Sequence, residues 1–202
     1  MQSLFGEKRV VLASQSPRRQ SLLRQIGLTF EVRPSEVDEE ALPGAGAAEL
    51  VTALSHQKAA RVARSYPDAV VIGADTVVVV DGGILGKPKS AEDAVAMLTA
   101  LSAREHQVFT GFTIYDRPSD RSVSEYEVTR VRFRALGREE ILAYVKSGSP
   151  MDKAGAYGIQ DDYGAVFVDR IDGCFYNVVG FPLARFYVTM QAFYRELSRT
   201  KE

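Results

Sequence analysis

Three kinds of residue in this sequence are placed to act on an anionic ligand: a paired arginine at a helix start, a lysine on an apolar helical stripe, and a carboxylate inside an apolar strand. The pair is Arg18-Arg19, behind Ser16-Pro17. Ser16 is a good N-cap and Pro17 suits the first helical position. Free N–H groups at such a start attract anions, and two forked guanidinium donors match phosphate oxygens. The same residues also describe an ordinary capped helix with solvated arginines. The coincidence of strand, cap and Arg pair favours a phosphate clamp. Asp75 interrupts a run of Val, Ile, Ala and Gly. A carboxylate there is costly unless it is used or paired, which reads as a general base or metal ligand, against a strand-end Asp capping a loop. Lys58 falls on the stripe of Val51, Leu54 and Val62. A Lys on a core-facing stripe is usually paired; the other reading is a side chain snorkelling at the core edge. The two His and one Cys lie too far apart for zinc-like spacing. A catalytic metal would therefore be hard and oxygen-bound, Mg²⁺ or Mn²⁺. Glu36, Asp38 and Glu39 form an acidic cluster that serves either such an ion or simply a solvated loop.

These residues need elements to position them. The continuous apolar run from Arg9 to Ser14 predicts a buried strand, and Pro17 to Ile26 a helix ended by Gly27. Thr29 to Arg33 reads as a short strand, and Ser35 to Gly46 as a loop. Ala47 to Tyr66 reads as a helix stopped by Pro67. Ala69 to Val80 is a long strand, turned back at Asp81-Gly82-Gly83 as a hairpin through Ile84-Leu85. Ser90 caps a helix from Ala91 to Leu101. Two strands follow, Gln107 to Tyr115 and Val123 to Ala135, and then a helix from Arg138 to Lys146. A Gly/Ser/Pro loop runs to Gln160. Ala165 to Asp169 and Cys174 to Val178 read as a last strand pair turned at Asp172-Gly173. Pro182 to Leu197 is a closing helix. The alternation predicts a mixed α/β sheet flanked by helices, within a single domain over residues 1–202.

With 202 residues, 46% hydrophobic and 25% charged, the composition is that of a globular protein. A formal net charge of −1 argues against bulk binding to nucleic acid. The single cysteine, Cys174, rules out an internal disulfide and fits a reducing compartment; it reads as a packed residue. No basic–apolar–cleavage pattern opens the chain, and no apolar run approaches the ~20 residues that cross a bilayer. The expectation is a cytoplasmic protein that contacts neither membrane nor nucleic acid.

The run Ala13-Ser14-Gln15-Ser16-Pro17-Arg18-Arg19-Gln20-Ser21-Leu22-Leu23 resembles the signature of Maf-like nucleotide pyrophosphatases. Five further segments are similar to that family's motifs, in the family's order: Gly73 to Val78, Gly86-Lys87-Pro88, His106 to Gly111, Asp152 to Gln160, and Asn177 to Leu183. Four positions depart from the pattern. Ala103 stands where Gly is expected, Ser149 where Glu is usual, Asp161 in place of a common Gly, and Phe181 in place of Leu. None is a proposed reacting residue.

The resemblance implies an elongated twisted sheet with two lobes and a central cleft, and it implies a reaction. A nucleoside triphosphate sets its phosphates against Ser14, Arg18, Arg19, Lys58 and Lys87. One divalent cation, Mg²⁺ or Mn²⁺, is held by Asp75 and an acidic residue of the 36–39 segment, assigned as Glu39. Asp75 is the base for a water that attacks the α-phosphorus, releasing diphosphate. The loop Ala156 to Gln160 looks like the type that acts on dTTP and UTP, with Arg18, Thr76 and Gln160 as specificity positions. A Gln amide offers a donor and an acceptor to a uracil or thymine edge. Pyrophosphatase action on a methylated purine nucleotide is the alternative within the family. Outside it stands a nucleotide-binding regulator of cell division with little turnover. A homodimer is compatible with the chain.

Overall fold

In the computed structural model, residues 8–37, 45–160 and 162–199 are described. Two apolar strands, β1 (Arg9–Leu12) and β3 (Ala69–Val80), pair in parallel with Leu12 opposite Ile72. Both are almost wholly buried, as expected where a sheet is covered on both faces. Helix α1 (Pro17–Gln25) follows β1, and the short β2 (Glu31–Val32) adds to β1 in parallel. Helix α2 (Ala47–Ala63) leads into β3. Beyond β3 come β4 (Gly83–Leu85), α3 (Ala91–Leu101), β5 (Glu105–Asp116), β6 (Arg121–Phe133) and α4 (Arg138–Lys146). The chain closes with β7 (Val168–Asp172), α5 (Phe175–Val179) and α6 (Leu183–Arg199). The sheet order is β2-β1-β3-β5-β6-β7, with β4 paired off β3. Parallel and antiparallel pairs coexist, so the expected mixed α/β class is the one observed.

Local chemistry explains most boundaries. The Ser16 hydroxyl accepts from the Arg19 N–H at 3.4 Å and Ser90 does the same for Asp93 at 3.2 Å, the N-caps that open α1 and α3. The β3–β4 hairpin turns on Asp81 and Gly82, at φ of 50° and 77°, as a two-residue hairpin turn requires. Helix α2 stops three residues short of Tyr66. There the Ser65 and Tyr66 N–H groups reach back only three residues, to the Val62 and Ala63 carbonyls, a tightened last turn ahead of Pro67.

The expected strand pair over 165–178 is not what forms. Residues 162–167 make a 3₁₀ turn, β7 pairs antiparallel with β6, and 175–179 is helical. The cause is the buried Asn177, whose amide donates to the Val108 carbonyl and the Thr129 hydroxyl, each at 2.9 Å. Those bonds fix the segment as a turn of helix, and β-propensity over five residues is too weak to oppose them.

The chain divides into two compact units. The first holds residues 1–75, 110–127 and 180–202; the second holds 76–109 and 128–179. The first unit packs α2 directly on the sheet. A Cβ at Gly73 would lie 2.2 Å from the Ser55 carbonyl oxygen, and one at Gly111 2.4 Å from that of Val51. Only glycine admits a helix backbone this close. Phe112, Phe181 and Phe186 fill the core beside it, with ring centroids 5.0–5.9 Å apart. The second unit is built around Phe133, whose ring meets His106 at 4.9 Å, Tyr157 at 4.7 Å and Phe167 at 5.9 Å.

Candidate active site

In the first unit the close seat of α2 on Gly73 brings Lys58 to β3. Its Nζ lies 2.6 Å from Asp75 Oδ1, with the two residues only 5% and 6% exposed. Lys58 thus does not snorkel to solvent: its ammonium ends on the carboxylate that the sequence singles out. An ion pair taken this far out of water is seldom retained for stability alone. Asp75 Oδ2 accepts no hydrogen bond from a described residue, which leaves an anionic oxygen open to chemistry.

The Ser14–Arg19 turn approaches the same strand. The Ala13 N–H donates to the Ile72 carbonyl at 2.8 Å, continuing the β1–β3 ladder to the turn. Ser14 is buried, and its Oγ accepts from the Ser16 N–H at 3.2 Å. Arg18 is half-buried. Arg19 is turned inward: Nη1 donates to the Ala74 carbonyl at 2.9 Å and to Ser14 Oγ at 3.4 Å, and Nε to the Gly180 carbonyl at 3.0 Å. The forked donor expected on phosphate here grips the residue next to Asp75. Consecutive helical residues lie ~100° apart around the axis, so an adjacent Arg pair divides its labour. That signal was available in the sequence.

The second unit holds Thr76, Lys87 and Gln160. Thr76 and Gln160 are half-buried and Lys87 is exposed. The Gly155 N–H donates to the Gly86 carbonyl at 3.0 Å, which ties the Lys87 turn to the loop that ends at Gln160. Lys153, not singled out from the sequence, is buried; its Nζ donates to the Ser149 carbonyl at 2.6 Å and to Asp152 Oδ1 at 2.8 Å. Ser149, one of the departures from the family pattern, thus supplies an acceptor. Ala103, another, sits at φ 57°, the left-handed region where glycine is at ease. Phe181 is fully buried among the aromatic residues of the first unit. Glu39, Asp38 and Asp161 lie outside the described residues. Among the described residues no three His, Cys, Asp or Glu side chains cluster as a metal site, and no helix is long and apolar enough to cross a membrane.

A groove of about 700 Å³ on the first unit, between β6 and α6, holds none of these residues. Its charges pair among themselves, Arg121 with Glu196 and Arg185 with Glu127.

Residues 9–193 match the profile of the family described as Maf-like protein. A dTTP/UTP pyrophosphatase of Carboxydothermus hydrogenoformans is 51% identical over 179 residues, covering 89% of this chain and 95% of the relative. The protein of that name from Salinibacter ruber is 48% identical, over 93% of this chain and 92% of its own. That from Aquifex aeolicus is also 48% identical, over 89% and 92%. With the six motifs in order and the profile matched along nearly the whole length, the chain belongs to the Maf-like protein family.

Proposed function

We propose that this chain hydrolyses dTTP and UTP to the nucleoside monophosphate and diphosphate. The observation that carries the reading is the buried Lys58–Asp75 pair at 2.6 Å, within a chain whose similar relatives carry that activity in their name. A nucleotide-binding regulator with little turnover could lose Asp75 without penalty, and this chain keeps it beside Lys58.

Asp75 Oδ2 is the proton acceptor. A water oxygen bonds to the α-phosphorus as the bond from that phosphorus to the α–β bridging oxygen breaks. The water proton passes to Asp75, and diphosphate leaves with the bridging oxygen. Lys58 holds Oδ1, so the carboxylate presents Oδ2 in one orientation. Arg19 fixes the Ala74 carbonyl and hence the strand position from which Asp75 projects. Arg18, at the start of α1, neutralises phosphate charge as it develops. On the second unit, Lys87 is assigned to phosphate, and Thr76 and Gln160 to selection of the base.

The Asp75 carboxylate is also a group that would take part in holding a divalent ion, since Mg²⁺ is commonly held by one or two carboxylates together with substrate phosphates. Glu39 is the expected second carboxylate. A bound Mg²⁺ or Mn²⁺ supplies charge neutralisation on the phosphate oxygens.

The test is a product assay over dTTP, UTP, GTP and ATP, with Mg²⁺, with Mn²⁺ and with excess chelator. Diphosphate release from the two pyrimidine nucleotides, lost in chelator, is the expected result. Release of orthophosphate, or full activity in chelator, overturns the reading.

A further inference from the structure

Resting on that reading, we propose that the buried Tyr157–His106 pair is the anchor of the base-selecting loop, which makes both side chains positioning residues for the choice of pyrimidine. Tyr157 sits three residues before Gln160. It follows Gly155 and Ala156, both left-handed at φ of 67° and 61°. Ala156 is fully buried, and an alanine keeps that conformation only where its surroundings over-determine it. Three contacts supply the constraint. The Gly155 N–H is held by the Gly86 carbonyl. A Cβ at Gly155 would lie 2.8 Å from a methyl of Val78, so the backbone lies flat on β3. The Tyr157 ring packs edge-on to Phe133 at 4.7 Å and His106 at 5.4 Å, with its hydroxyl 2.8 Å from His106 Nε2. His106 and Phe133 belong to long strands, so the loop is fastened to rigid parts of the second unit.

His106 is a poor core residue on stability grounds. It is 2% exposed, and its Nδ1 has no hydrogen-bond partner among the described residues. A buried polar atom left unpaired is a cost, and phenylalanine would fill the same space without it. What histidine adds is a hydrogen-bonding partner for the Tyr157 hydroxyl. Burial keeps the imidazole neutral and the phenol protonated, so the two share one hydrogen bond at 2.8 Å whose direction follows the imidazole tautomer. That bond fixes the ring, the ring fixes residues 155–157, and these fix both Gln160 and, through Gly86, the Lys87 turn.

The test compares the parent with Tyr157→Phe, His106→Phe and His106→Gln. Two measurements are made: kcat and KM for dTTP, UTP and GTP, and amide hydrogen exchange over residues 153–160. Tyr157→Phe keeps the packing and loses the bond. Its KM for dTTP and UTP should rise about tenfold with that for GTP unchanged, and exchange in the loop should quicken by a similar factor. His106→Phe should behave alike, while His106→Gln, whose amide offers both a donor and an acceptor, should recover part of both effects. A pyrimidine-to-purine ratio within twofold of the parent in both phenylalanine variants overturns the inference. If Tyr157→Phe does not fold, the two His106 variants decide it, and equal ratios overturn it. Quickened exchange with an unaltered ratio also overturns the role in selection. A parent without pyrimidine preference overturns the activity reading instead, and exchange alone then judges the anchor.

Discussion

Removing either partner of the Lys58–Asp75 pair leaves a charge in a place that excludes water. Lys58→Ala should therefore lower stability by about 3–5 kcal/mol, read as a shift in the urea midpoint, as well as abolish turnover. Asp75→Asn keeps an acceptor for the ammonium and should fold, but it cannot take the proton. A fall in kcat of roughly 10²- to 10⁴-fold is expected, measured as diphosphate release; a loss of only a few-fold would identify another base. The two arginines should separate. Arg18→Ala should remove the proposed phosphate contact, with an expected loss of about 1.5–3 kcal/mol in transition-state binding and little change in melting. Arg19→Ala strips donors from the Ala74 and Gly180 carbonyls, so it should lower the melting temperature as well as the rate. Equal melting in the two variants would return Arg19 to the phosphate.

Elements carry these residues, and close approach is the main device. Gly73→Ala would set a methyl 2.2 Å from the Ser55 carbonyl oxygen. Helix α2 must lift, and Lys58 with it. Overpacking of this kind costs about 1–3 kcal/mol, and kcat should fall in the same variant, as calorimetry and the assay can check together. Ala103→Gly is the opposite case, since the residue is exposed at φ 57°. Relief of a left-handed alanine should stabilise by about 1 kcal/mol, or roughly 2–4 °C in Tm. Much at this scale was legible in the sequence. The bounds of β3, α3 and α4 follow from an unbroken apolar run, a Ser cap and amphipathic spacing. Helix α5 was not legible, because the bonds of Asn177 join residues 48 and 69 positions away. For the same reason the grip of Arg19 on carbonyls 55 and 161 positions distant left no periodic trace, whereas Asp75 and Lys58 stood out as charges on apolar faces.

For the molecule as a whole, His106 adds an acid liability. Burial pushes its imidazole from the ordinary 6.5 down to about 4. Below pH 6.5 the unfolded chain takes a proton that the folded chain refuses, so stability falls as pH falls from 6.5 towards 4. The loss is about 3 kcal/mol over that window. Urea titrations at pH 7.5 and 4.5 should show it in the parent and not in His106→Phe, where the titrating group is gone. An equal slope in both would assign the acid sensitivity to the carboxylates.

The border between the two units falls between Asp75 and Thr76, and the chain crosses it again after Phe109, Glu127 and Val179. Neither unit is a contiguous stretch. A chimera made with a relative by one exchange of gene ends would therefore cut through at least one unit unless the exchange fell on a border, and even there it would combine pieces of different parentage within a unit. Moving the base-selecting unit intact requires residues 76–109 and 128–179 to travel together. A single exchange at the Asp75–Thr76 border does carry them together, but it joins residues 1–75 of one parent to residues 110–127 and 180–202 of the other, so the second unit is transferred whole only by making the first a hybrid.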